Sequence, residues 1–185
     1  MRSTIIRCLV IAGIPIGAAT MIAAPAHAAT TEAPAQVVVS PMHIVGYDRA
    51  VAAAHGYEIR VGANGQEYSV KQGEVTPYNT IPGDCGKSWV YIYPKGGHKA
   101  DIDTGFDVNT PAVDFSWDVR VHDDWGTSIK SWGHVLLAQH NWEGVNHFKS
   151  SGAGYVDARV ISGFAILANG GVCYSEGPSD TEYVS

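Results

Sequence analysis

The sequence predicts an all-β protein: an antiparallel β-sandwich, or a distorted barrel, of about eight strands with one short N-terminal helix and one disulfide. Three observations carry this expectation. Apolar and polar residues alternate through most of the chain after Gly56, which is the period-two signature of half-buried strands. Clusters of Gly, Asn, Pro and Ser separate the alternating runs. Only one stretch has the composition of a helix, so the apolar faces of the strands must cover one another.

The chain opens on "MRSTIIRCLVIAGIPIGAATMIAAPAHA". Arg2 and Arg7 form a positive n-region, an apolar run extends from Cys8 to Ala24, and Ala26-His27-Ala28 is a small-x-small cleavage site. Gly13, Pro15, Gly17 and Pro25 interrupt a run shorter than the roughly 20 apolar residues of a spanning helix. Residues 1–28 are therefore expected to be a secretory signal peptide. The mature protein is expected to be secreted and extracellular, with no membrane insertion after cleavage. Residues 29–35 form a small-residue leader without periodicity, expected to be flexible, and 36–185 a single β-sandwich domain.

Removing 28 of the 185 residues leaves 157 and takes away two arginines and no acid. Ten Lys+Arg then stand against eighteen Asp+Glu, a net charge of -8. An acidic surface without a basic stripe repels phosphate backbones, so nucleic acid is excluded as a partner class.

Loss of the signal also removes Cys8. Cys85 and Cys173 remain, in a chain bound for an oxidising compartment, and are expected to pair. Closing a loop of about 89 residues removes roughly 4 to 5 kcal/mol of freedom from the unfolded chain in the chain-entropy model. The Gly-Lys-Ser after Cys85 is not a P-loop. Only Asp84 and Cys85 separate Gly83 from Gly86, and the segment runs into the strand-like "SWVYIY" instead of a helix. Pro82-Gly83-Asp84 reads as a turn delivering Cys85 to a core strand.

In chain order, "DRAVAAAHG" is the helix, capped by Asp48 and ended by Gly56. "YEIRVGANGQEYSV" is a hairpin in which Asn64-Gly65 suggests a type I′ turn. That turn would place Val61 opposite Tyr68 and Ile59 opposite Val70. "SWVYIY" follows, with Trp89 read as core. "ADIDTGFDV" turns Ile102, Thr104, Phe106 and Val108 inward. "AVDFSWDVRVH" does the same with Val113, Phe115, Trp117, Val119 and Val121. "HVLLAQH", "YVDARVI" and "FAILAN" complete the set.

Through "GDCGKSWVYIY", "DFSWDV" and "NGGVCYS" the chain resembles a group of small secreted proteins from high-GC Gram-positive bacteria. The resemblance covers most of the mature chain. It implies an extracellular β-rich protein and transfers no catalytic residue.

No G-x-S-x-G elbow, H-E-x-x-H or C-x-x-C occurs in the chain, which removes the familiar hydrolase, metalloprotease and oxidoreductase signatures. A secreted hydrolase would have to use "HNWEGVNH", where His140, Glu143 and His147 would share a face if helical, with His134 or His122 as a further ligand for zinc. Asn141, Gly144 and Asn146 argue against that helix. Trp125, Trp132 and Trp142 stand in Gly-rich, loop-like contexts beside Asp123, Asp124, Asn141 and Glu143. Indole faces next to carboxylates suit sugar recognition, and packing under loops is the competing account.

"ADIDTGFDV" and "AVDFSWDVRVH", joined through "NTPA", can be paired as a hairpin with Val108 opposite Val113. Asp101 would then face Arg120, but Asp103 would face Asp118 and Asp107 would face Asp114, and like charges in opposition repel. Separate strands would remove the problem, and a calcium ion held by Asp103, Asp107, Asp114 and Asp118 would offset it. No other cofactor is expected. The expected function is noncatalytic binding of an extracellular glycan or protein, with a hydrolase or a secreted toxin or inhibitor as the alternatives.

Overall fold

The computed structural model describes residues 38–74 and 84–185. The expected signal peptide, the leader and the Pro82-Gly83 turn lie outside the described residues. The elements run β1 (Val39–Tyr47), α1 (Arg49–Ala54), β2 (Tyr57–Val61), β3 (Glu67–Lys71), β4 (Asp84–Gly96), β5 (Lys99–Asp123), β6 (Gly126–Lys149), β7 (Gly154–Leu167), β8 (Gly171–Ser175) and β9 (Ser179–Val184). β2 and β3 pair with each other, and the other strands form an antiparallel sheet in the order β6-β5-β4-β1-β8-β7-β9. A further pairing of β5 with β7 closes β5-β4-β1-β8-β7 into a ring. No helix among the described residues is long and apolar enough to cross a membrane.

Closure depends on the length of β5. The two runs expected to form a hairpin around "NTPA" are one strand of 25 residues. Proline lacks the N–H a ladder needs and is tolerated at bulges. Here Asn109-Thr110-Pro111 interrupts the pairing with β6 between Asp107 and Ala112 without reversing the chain. Ahead of the irregularity β5 pairs with β4, from Lys99↔Gly96 to Val108↔Gly86. Beyond it β5 pairs with β7, from Ala112↔Leu167 to His122↔Asp157. "YVDARVI" and "FAILAN" fuse likewise into β7.

Both inward faces predicted for β5 are buried, from Ile102 and Phe106 to Val119 and Val121. Trp117 is the largest fully buried side chain. Its indole Nε1–H donates to Thr104 Oγ1 at 2.9 Å, and that hydroxyl donates to the Trp89 carbonyl at 2.8 Å. The polar atoms of this part of the core are thus satisfied. Phe106 meets Phe115 edge-on at 5.7 Å. Gly163 stands opposite Trp117, where a Cβ would come within 2.6 Å of the indole, so the ring lies against bare backbone.

Cys85 and Cys173 form the expected disulfide, with their Cα atoms 5.9 Å apart. The bridge joins β4 to β8 across β1, which pairs with both. Ser88 and Ser175 also meet across β1, Oγ to Oγ at 2.8 Å. In α1, Asp48 accepts from the N–H groups of Ala50 and Val51, and Gly56 follows the C-cap at φ +80°, as expected for a helix with these ends.

The β2–β3 hairpin differs by one residue from the expected register. Val61 pairs with Glu67 and Ile59 with Ser69. The reason is the turn. Among its non-glycine residues none has positive φ, while Gly65 has φ +79°, so a type I′ turn, which needs positive φ at Asn64 as well, does not form. The N–H of Gly65 bonds to the Gly62 carbonyl, and that of Gly62 to the Gln66 carbonyl, giving the three-residue loop that ends in a glycine bulge.

Candidate functional site

The residues expected to form a tryptophan platform do not form one: Trp132 and Trp142 are neighbours, but they pack inward and Trp125 stands apart from them. Trp132 and Trp142 lie in β6, not in loops, and both pack against the core. Trp142 sits 4.4 Å from Phe115 and 5.7 Å from Trp132, centroid to centroid, and Lys130 caps Trp132 at 5.7 Å. Trp125 occupies the β5–β6 turn and is 50% exposed. Its indole lies over Gly152 and Gly154, seven residues and about 20 Å of extended strand from Trp132. Asp123 is buried and serves the turn. It accepts from the N–H groups of Trp125 and Gly126 and from the Ser150 hydroxyl at 2.7 Å. Burial alone would push its carboxyl up, but these hydrogen bonds outweigh it and hold the group below the usual range. Asp124 is exposed beside Gly154.

The opposed aspartates expected from a hairpin do not form either, because β5 is one strand. Asp103 pairs with Tyr91 and Val145, Asp107 with Lys87 and Asn141, Asp114 with Val135 and Ile166, and Asp118 with Ser131 and Ser162. Asp101 does not face Arg120. It takes Lys95 at 3.1 Å and His147 at 2.7 Å, and the His147 hydrogen bond, then Lys95, hold its carboxyl down. Among the described residues no group of three or more His, Cys, Asp and Glu is arranged to hold a metal. "HNWEGVNH" is extended within β6, so the helical face of His140, Glu143 and His147 is not formed. His140 Nδ1 instead donates to the Val108 carbonyl at 2.8 Å.

What the sheet does assemble is the outer face of β4, β5 and the second half of β6. Residues opposite one another in antiparallel strands share a face. The register gives four rows: Lys87–Asp107–Asn141, Trp89–Gly105–Glu143, Tyr91–Asp103–Val145 and Tyr93–Asp101–His147. Trp89 is therefore not core. Its indole lies across Gly105, where a Cβ would meet the ring at 2.6 Å, and its Nε1–H donates to Asp103 Oδ1 at 2.9 Å. Tyr91 and Tyr93 continue the row, 6.2 Å apart.

Asp103 also shares a hydrogen bond with Glu143, and this contact, followed by the charge of Asp103, raises the Glu143 pKa. Burial, followed by the Asp103 charge, raises that of Tyr93. A shallow depression of about 210 Å³ opens beside Trp89, lined by Val39, Lys87, Tyr91, Asp107 and Asn141. The alternation in "SWVYIY" already separates Trp89, Tyr91 and Tyr93 from Ser88, Val90 and Ile92. The face missed in the sequence could have been found by asking which set meets Gly105.

Fold and face together define a disulfide-bonded, all-β molecule with an aromatic and acidic surface on one sheet. No protein-family model, no curated protein and no solved structure matches the chain.

Proposed function

We propose that the protein is a secreted, noncatalytic binding protein that holds an extracellular glycan on the outer face of β4, β5 and β6. The observation that carries this is the row Trp89, Tyr91 and Tyr93, laid along one exposed face with Asp103, Asp107, Asn141 and Glu143 beside it. Flat rings accept the apolar faces of sugar rings, and convergent carboxylates and amides accept and donate to their hydroxyls. The disulfide is compatible with an extracellular setting, and the N-terminal sequence supports export.

A hydrolase is less well supported. His140 is bonded to backbone and His147 to Asp101.

Isothermal titration with cell-wall oligosaccharides tests the reading. Trp89→Ala and Tyr93→Ala should each weaken binding about tenfold, which corresponds to about 1.4 kcal/mol, while Trp125→Ala leaves it unchanged. Tyr93 is 49% exposed, so its loss removes contact area without opening the core. Equal affinities for all three variants, or no binding by the unaltered protein, would overturn the proposal.

A further inference from the structure

The second half of β5 carries a different site. Arg120 stands directly opposite Arg159 of β7, and like charges in that position repel. Arg49 and Arg60 are each ion-paired to a carboxylate, Glu67 and Glu58. The facing pair is poorly compensated by comparison. Arg120 Nη2 reaches Asp157 Oδ1 only at 3.5 Å, and its Nε is buried with no hydrogen-bond partner. Arg159 has no ion pair among the described residues. A buried donor left unsatisfied is costly, and here it belongs to a guanidinium.

A depression of about 240 Å³ opens over the two arginines, walled by Tyr174, Ser175, Glu176 and Gly177. Glu176, the carboxylate at its rim, is already bonded to His43 at 2.7 Å. Where β7 passes the site its register against β5 shifts. Asp118 pairs with Ser162 and Val119 with Val160, leaving Ile161 without a partner in β5. Bulges of this kind bend a strand locally and re-aim its side chains.

We propose that this depression binds an oxyanion, the carboxylate or phosphate group of a small ligand, between Arg120 and Arg159. The guanidinium is planar and presents paired N–H donors that match two oxygens of such a group. An anion there would accept from the exposed terminal N–H groups of the two guanidiniums and offset the repulsion between two like charges. The volume lies below the roughly 300 Å³ at which pockets for drug-sized ligands begin, so it suits a single acidic group or acidic sugar. The site stands apart from the aromatic face and does not depend on the glycan reading.

The experiment is a melting series of the purified protein in inorganic phosphate, glucuronate or chloride, with ionic strength held constant to remove general screening. At 10 mM, phosphate or glucuronate should raise the melting temperature by about 2 °C or more over chloride. A rise with phosphate alone assigns the site to a phosphate group, and one with glucuronate alone to a carboxylate; either supports the proposal. Arg159→Gln should abolish the shift and, by removing the repulsion, melt no lower than the unaltered protein in chloride. Arg120→Gln should abolish it too, and calorimetric titration with the same anions should show at least tenfold weaker binding for both variants. If the anions act no differently from chloride, or act equally on Arg159→Gln, the proposal is wrong.

Discussion

Asp103 and Glu143 make the titration of the aromatic face readable at a single residue. The hydrogen bond to Asp103 and its charge favour the protonated form of Glu143, so its folded pKa lies above its unfolded one. Over the window that starts near the ordinary glutamate value of about 4.3 and extends up to the raised value, the folded state holds more proton than the unfolded state. Stability therefore falls as pH rises through that window. Asp103→Asn keeps an oxygen for the Trp89 indole N–H but removes the charge. Carbon-detected NMR titration should then show Glu143 returning toward its ordinary value, and the pH dependence of melting should flatten. An unmoved Glu143 titration in Asp103→Asn would sink this account. Trp89 shows why the face itself was hard to read from sequence. Alternation separates Trp89, Tyr91 and Tyr93 from Ser88, Val90 and Ile92 without saying which set is inside, and hydrophobicity favours the wrong answer because Ser88 is the weakest core candidate. Gly105 decides it, but only once the β4–β5 register is known.

Among the strands, faces were legible and joins were not. All nine residues that the period-two pattern of β5 marks as inward are buried, since burial of one face is what selects the pattern. The same sequence contains Pro111, which reads as a turn, and nothing local reveals that β6 pairs along both sides of it. The Asn64-Gly65 hairpin failed differently. The dipeptide marks the turn correctly, yet two turn types share that signal and differ by one residue in register. β6 offers a sharp test of the observed register. Leu136 is buried, whereas Val135 is 73% and Leu137 88% exposed. Leu136→Ala should cost about 2 to 3 kcal/mol in urea unfolding, and Leu137→Ala no more than about 0.5 kcal/mol. A reversed ranking would mean that β6 is displaced by one residue against β5.

At the scale of the molecule, the disulfide was readable because the expected export would leave two cysteines, Cys85 and Cys173. That it spans β1 was not, because strand order depends on contacts far apart in sequence. Replacing both Cys85 and Cys173 by Ser should lower the unfolding free energy by about 2 to 5 kcal/mol, measured by denaturant titration against the oxidised protein. The bridge also divides the chain mechanically. The residues between Cys85 and Cys173, 88 positions apart, carry most of β4, all of β5, β6 and β7, and the start of β8. β1, α1, β2 and β3 lie on one side of that loop and β9 on the other. A molecule stretched by its two ends under oxidising conditions can thus pay out β1 and β9 while the looped barrel strands bear no load between their anchor points. With the bridge reduced, the same pull should release roughly 300 Å of additional contour length, at about 3.4 Å per residue. In single-molecule force spectroscopy that increment would appear only after thiol reductant is added.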